Sequence, residues 1–282
     1  MKVIINIIKF IAIAILAICL IYIGIKSTVS STIFNKEYVL EKLEETNFYE
    51  ETYKIVKSNF ENYIHQSGLD EIVLEDICSK DKVEKDIKII ISNIYEGKNE
   101  KIDTTEISKK LNENIDKQNV RNSKTQKPIE KFVEQICNEY TDTILHTQYE
   151  EKINQGLDKI TEYLNKVNIL AIAIMIIDIV ILITLNIGNI AKLLQNVGMA
   201  LLTTSAFEII AINIIKSKVN IAGIKVFNDS FSETLVTILQ DIIGKIMSLG
   251  ITTLLLAIAI IAIYAIIVFC KTPKNKESEK TN

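Results

Sequence analysis

Four long apolar runs constrain this chain more than any other feature: Phe10 to Ile25, Asn168 to Leu185, Val197 to Ile215 and Met247 to Cys270. Each approaches or exceeds the roughly 18 to 20 residues a helix needs to cross the hydrocarbon of a bilayer. Inside that layer there is no water to bond the backbone, so each run must satisfy its own N–H and C=O groups as an α-helix. The spacing predicts an all-α, polytopic membrane protein with four transmembrane helices. One run opens the chain and three crowd its last 115 or so residues. A charged segment separates the first from the second, and it is expected to form a helical extracytoplasmic domain.

Composition agrees only if the two kinds of residue are segregated. A content of 48% hydrophobic and 24% charged residues, with a mean hydropathy of +0.24, does not suit a uniformly mixed soluble domain. Between Ser31 and Lys166 there are 20 Lys and Arg against 28 Asp and Glu, and the rest of the chain carries 12 against 7. An acidic middle segment offers no positive footprint for phosphates, so no nucleic-acid partner is expected. The single Arg (Arg121), the two prolines (Pro128, Pro273), the absence of Trp and the abundance of Ile, Lys and Asn read as AT-rich coding bias, pointing to a bacterial source.

Lys2 and Lys9 precede the first run and Lys26 follows it. Val29 and Ser31 fit the small-residue positions of a signal-peptide cleavage site, but an apolar stretch of about 16 residues is long for a cleaved leader. Tyr22 near its outer end suits an interfacial anchor. Residues 1–27 are therefore expected to be a retained signal anchor. Four spans put both termini on one side, and the short Lys-bearing N-terminal tail makes that side the cytoplasm. Lysines near the other span ends divide almost evenly, so the first span alone carries the assignment. The expected organisation is an extracytoplasmic helical domain at 28–166, a three-helix membrane region at 167–270 with an interfacial helix near 230–243, and a cytoplasmic polar tail at 271–282. The protein is expected in the cell membrane as a multi-pass chain.

Within the middle segment the apolar period is helical almost throughout. Val39, Leu43, Tyr53, Val56, Phe60 and Tyr63 follow three- and four-residue steps, apart from a polar turn near Thr46, and Gly68 ends the pattern. Ser79 is placed to cap a helix with Val83, Ile87, Ile90, Ile91 and Ile94 inward, ending at Gly97. Asp103 and Glu106 resemble a capping box before Ile107, Leu111 and Ile115. Pro128 is expected at the first position of a helix presenting Ile129, Phe132, Val133, Ile136 and Tyr140. From Tyr149 the set Ile153, Leu157, Ile160, Leu164 and Val167 leads into the second membrane run, as a stalk or as a rigid coupling.

Function is sought first where polar groups enter the bilayer. Asp178 lies near the middle of the second run and Glu208 beyond the middle of the third, accompanied by Thr203, Thr204, Ser205 and Asn213. An ionisable side chain at that depth normally faces the bundle interior or water and often marks a proton or ion path. With antiparallel helices the two carboxyls differ in depth by about 5 Å. Asp178, Glu208, Thr204 and Asn213 are therefore the candidate ion or proton site, with packing through protonated, hydrogen-bonded acids as the alternative. Gly244, Ser248 and Thr252 have the small-xxx-small spacing of a close helix contact. Phe231, Leu235, Ile238, Leu239 and Ile242 oppose Glu233, Gln240 and Asp241, as an interfacial helix would; an ordinary helical lead into the fourth run is the favoured alternative, and a ligand gate a further one.

Catalytic signatures are missing. His65 and His146 belong to no H-E-x-x-H site, and His146 with Glu150 supplies only two ligands. Cys19, Cys78, Cys137 and Cys270 show no C-x-x-C spacing. Cys78 and Cys137 share the middle segment, where an external location permits a disulfide and helical neighbours suit buried thiols. No phosphate loop or nucleophile elbow occurs. No cofactor or metal is expected, and the chain is expected not to be an enzyme. The leading expectation is a sensing, scaffolding or accessory subunit whose extracytoplasmic domain binds a protein or envelope component; the bilayer itself is the other partner. The alternative is a small transporter or permease subunit using the intramembrane acids. The order of one span, a large domain and three close spans resembles the layout of permease subunits of FtsX-like ABC systems, which implies a permease role; the expected all-helical domain departs from that group's mixed α/β domain.

Overall fold

Local sequence rules account for most helix boundaries in the computed structural model, which describes residues 2–145, 150–225 and 229–271. Among the described residues there are nine α-helices and no strand: α1 (Lys2–Ser30), α2 (Lys36–Glu45), α3 (Phe48–Ser67), α4 (Lys80–Glu96), α5 (Thr105–Lys117), α6 (Gln126–Leu145), α7 (Glu150–Leu185), α8 (Ile190–Lys218) and α9 (Asp229–Lys271). A 3₁₀ turn, Glu71–Leu74, lies between α3 and α4. The Ser79 hydroxyl accepts from Lys82 N at 3.2 Å and starts α4. Gly68 and Gly97 follow α3 and α4 with φ of 73° and 64°, the left-handed conformation that a β-carbon disfavours.

The chain forms two units, each with its own packing. One comprises Thr32–Thr161 with Ile224–Ile238, and the other Met1–Ser31, Glu162–Gly223 and Leu239–Asn282. The first of these units thus includes a segment, Ile224–Ile238, that lies far along the chain.

In the first unit, α3 packs along α6 and α4, while α5 packs on α6 and the 3₁₀ turn. The inward faces are those the apolar period marks. Val56, Phe60 and Ile64 meet Val83, Ile87 and Ile90, with Ile107, Leu111, Ile115, Ile136 and Tyr140 in the same buried cluster. Every one of these side chains is at most 6% exposed. Burial of a Leu, Ile or Val contributes about 1.5–3 kcal/mol, enough for such a core to sustain an independent fold.

Two capping expectations are corrected. Asp103 does accept a backbone N–H, from Thr105 at 2.8 Å, but Glu106 pairs with Lys110 at 3.0 Å and does not close a reciprocal box. Pro128 is the third residue of α6, because the turn at Asn122–Thr125 starts the helix earlier, with Gln126 N bonded to Asn122 O at 3.0 Å. Its missing N–H still falls in the first turn, where the helix has no acceptor to offer.

Of the two readings of 230–243, the ordinary helical lead into the fourth run agrees with the structure and a separate interfacial helix does not, since α9 runs unbroken from Asp229 to Lys271. Its first turns are buried in the domain unit and do not lie free. Thr234 Oγ1 is 2.7 Å from Thr46 Oγ1, and Phe231 packs edge-on against Phe48 with ring centroids 6.3 Å apart. The amphipathic pattern there is real: Ile238 and Ile242 are buried and Glu233 and Gln240 exposed, and Ser230, Ser232 and Thr234 are buried as well.

In the membrane unit, four helices are long and apolar enough to cross a bilayer: Val3–Ser30, Lys159–Leu185, Ile190–Lys218 and Asp229–Cys270. This is a helical membrane protein. Lys9 Nζ donates to Asn186 Oδ1 at 2.7 Å and Tyr22 OH donates to Leu164 O at 2.8 Å, so α1 runs antiparallel to the end of α7. Leu16 and Ala12 of α1 share a buried cluster with Leu182 of α7 and Ala200 of α8. The outward faces, including Phe10, Ile177, Phe207 and Leu255, stay exposed as lipid-facing surface does. Gly244, Ser248 and Thr252 lie on an exposed face of α9, and a β-carbon at Gly244 would meet nothing within 4 Å. The close contacts of α9 come instead from its Gly250 face.

Candidate intramembrane acid site

Glu208 sits about two thirds of the way along α8, on the face that turns towards α1 and α9. It is 2% exposed, and Asp178 on α7 is 3% exposed. Two glycines shape its surroundings. A β-carbon at Gly24 of α1 would lie 3.2 Å from Glu208 Oε1. One at Gly250 of α9 would lie 3.2 Å from Glu208 Cβ and 3.5 Å from Oε2. Because glycine has no side chain, the backbones of α1 and α9 come close to the carboxyl at these two points. Gly198, further along α8, admits Ile260 and Ile261 of α9 in the same manner, which makes α8 and α9 antiparallel.

Thr204, one turn before Glu208, is 2% exposed. Its hydroxyl lies 3.0 Å from Ala200 O in its own helix and 3.3 Å from Ala17 O in α1, so a single proton is shared across the α1–α8 contact. Ser205 is fully buried and bonds back to Leu202 O at 2.9 Å. Asp178 lies one turn before Leu182 of α7, which shares a buried cluster with Ala12, Leu16 and Ala200.

The four expected site residues therefore divide. Asp178, Glu208 and Thr204 all point into the bundle, whereas Asn213 is exposed and donates to Ile209 O of its own helix at 2.8 Å. Asp178 Oδ2 and Glu208 Oε2 are buried without a hydrogen-bond partner, and among the described residues no hydrogen bond joins the two acids. Sequence reasoning missed Gly24 and Gly250. Their only signal was a glycine inside an apolar run, in α9 one helical face away from the Gly244 ridge that drew attention.

A second buried polar cluster lies in the domain. Tyr140 OH donates to Asp86 Oδ2 at 2.6 Å, and Lys82 Nζ donates to the same oxygen at 3.0 Å and to Asp103 O at 2.7 Å. Burial, reinforced by Asp86, pushes the Tyr140 phenol well above its ordinary range. Burial also pushes the neighbouring Cys78 thiol up to about 12, so it remains a thiol near neutral pH. All four cysteines are free, Cys78 and Cys137 included.

Among the described residues no group of three or more His, Cys, Asp or Glu is arranged to hold a metal. His65 is exposed, with Nδ1 3.9 Å from Glu71 Oε1. His146 and Tyr149 lie outside the described residues, as does the tail 272–282. No protein-family model, curated protein or solved structure matches the chain.

Proposed function

We propose that this chain is a non-enzymatic sensing or accessory subunit of the cell membrane. In this reading the bundle holds a titratable proton at Glu208 and Asp178, and the helical domain, on the extracytoplasmic side, binds a protein or envelope component. The observation that carries it is the Glu208 carboxyl closed in between Gly24 and Gly250 with Oε2 unpartnered. A bare carboxylate so placed costs several kcal/mol, and the protonated acid avoids that cost. The walls are too close for a hydrated cation, which favours a proton. Ionisation would force α1, α8 and α9 apart to admit water, so proton occupancy is converted into helix packing. Lys2 and Lys9 ahead of the first span support an orientation with both termini in the cytoplasm.

The test uses the full chain in nanodiscs. Infrared spectra at neutral pH should show a protonated carboxyl band that weakens in Glu208→Gln; identical spectra would remove the proton site. Labelling of Ser123→Cys in intact cells by an impermeant thiol reagent supports the external domain, and labelling only after lysis would reverse the orientation. A second reading is favoured by Asp178, a second buried acid with an orphaned oxygen on a different helix: a small transporter or permease subunit using both acids as a proton or cation site. Proton flux in proteoliposomes abolished by Glu208→Gln and Asp178→Asn would install that reading in place of the first.

A further inference from the structure

The groove between α3 and the Asp70–Ser79 segment combines an apolar floor with acids that have no basic partner. Its volume is about 560 Å³, and Tyr53, Phe60, Leu74 and Ile77 contribute to its floor. Glu61, Asp70, Glu71, Glu75 and Asp76 surround it, against the single cation Lys57. Some acids elsewhere on the domain find lysines, as in Glu51–Lys54, Glu84–Lys88 and Glu106–Lys110. Among the described residues none of the five groove acids has a Lys or Arg within 4 Å, and Glu71 meets only His65. Five unpaired negative charges around one groove repel one another and lower the cost of bringing a cation there.

The rim is also pre-formed. Asp70 Oδ1 accepts from Ile72 N at 3.0 Å, and Asn114 Nδ2 donates to Val73 O at 3.2 Å and to Glu75 O at 2.8 Å. Val73 is fully buried and Ile77 nearly so, which anchors the segment at two points in the core. The same constraint turns Ile72 outward, where it is 58% exposed beside the acids. An apolar side chain held in solvent next to an apolar floor and an acidic rim is complementary to a surface that is apolar on one side and positive at its edges.

We propose that this groove is a docking site for a cationic amphipathic helix of a partner protein, its apolar face on Ile72, Leu74 and Tyr53 and its Lys or Arg residues over Glu61, Glu71, Glu75 and Asp76. The stretch of α3 from Tyr53 to Glu61 runs about 12 Å at 1.5 Å per residue, a length that accepts two turns of such a helix. The proposal rests on the reading of the domain as a binding module and names the chemistry of what it binds.

The experiment uses the full chain in phosphatidylcholine nanodiscs and a fluorescein-labelled amphipathic helical peptide of Lys and Leu, with empty nanodiscs subtracted. Binding should exceed that of a Glu and Leu peptide and weaken steeply with salt. Ile72→Asp and the pair Glu71→Lys with Glu75→Lys should each reduce affinity about tenfold. The pair Glu113→Lys with Glu130→Lys changes net charge equally away from the groove and should leave affinity within about twofold. Equal loss in both charge-reversal pairs, or unchanged affinity in Ile72→Asp, overturns the groove while leaving a binding role for the domain intact. Absence of binding above empty nanodiscs overturns the cationic-helix chemistry itself.

Discussion

Gly24 of α1 faces the carboxyl of Glu208 so closely that a β-carbon there would stand 3.2 Å from Oε1 and 2.6 Å from Leu249 Cδ2. Both of those atoms are far ends of flexible side chains and can yield. At Gly250 the neighbours are Ile209 Cγ1 at 3.1 Å and Glu208 Cβ at 3.2 Å, atoms tied to their backbone.

Glycine-to-alanine substitutions should therefore separate by position. Gly250→Ala is expected to destabilise the bundle by about 1–3 kcal/mol through overpacking, and Gly24→Ala by less. Gly244→Ala meets nothing within 4 Å and should gain about 0.5–1 kcal/mol from the lower backbone entropy of the unfolded chain. Unfolding of the full chain in mixed micelles of rising denaturing-detergent content gives the order; Gly244→Ala as the most damaging of the three would contradict the observed face of α9.

Charge and shape should separate at Glu208. Glu208→Gln keeps the volume and removes the ionisable proton, so folding yield and thermal midpoint in detergent are expected to match the parent. Glu208→Lys places an unpaired cation where the native side chain is 2% exposed and should cost about 3–5 kcal/mol or prevent accumulation in the membrane. Equal yields for the two variants would show that the site opens to water.

Tyr140→Phe removes the donor to Asp86 Oδ2 and leaves that buried carboxylate to Lys82 alone. The expected loss is about 2 kcal/mol, the range for a buried hydrogen bond to a charged group. Chemical denaturation followed by far-ultraviolet circular dichroism reads it out. A change of a few tenths would mean that Lys82 fully compensates.

Acid and alkali should act on different groups of the domain. Hydrogen bonds from Lys36 and Lys98 lower the Glu96 carboxyl to about 2. Its contribution is then complete above an unfolded value of about 4.3 and is lost as pH falls through the folded value. Burial raises the Tyr49 and Tyr95 phenols to about 12. Their neutral forms favour the folded state fully below an unfolded value of about 10, and that stability is lost as pH rises from there through the folded value. Thermal midpoints should fall at both ends, with Glu96→Gln flattening the acid limb and Tyr95→Phe the alkaline one.

How far each feature could be read from sequence depended on the range of the interaction behind it. The inward faces of α4, α5 and α6 were legible because helical period and burial coincide over three or four turns, and Gly68 and Gly97 marked ends because backbone conformation is local. The first turns of α9 were not. Their amphipathic pattern said only that one side would be covered, and the bilayer and the Thr46–Phe48 elbow are equally good covers until the fold brings one of them up. Asn213 and Thr204 looked alike as polar residues in one apolar run; nine positions apart, they fall on opposite sides of α8.

By itself the sequence determined that this protein is helical, that four of its helices are long and apolar enough to cross a bilayer, and that two acids lie within them. Those properties follow from apolar period, segment length and the absence of water in hydrocarbon, all of which act along the chain. Only the tertiary structure decided that Glu208 is enclosed by Gly24 and Gly250 and that Asn213 faces outward. It also decided that Ile224–Ile238 belong with the domain and that, among the described residues, the acids around Ile72 have no basic partners. Each of those depends on which residues from distant parts of the chain meet, and close packing settles that through the shapes of surfaces that no single helix possesses.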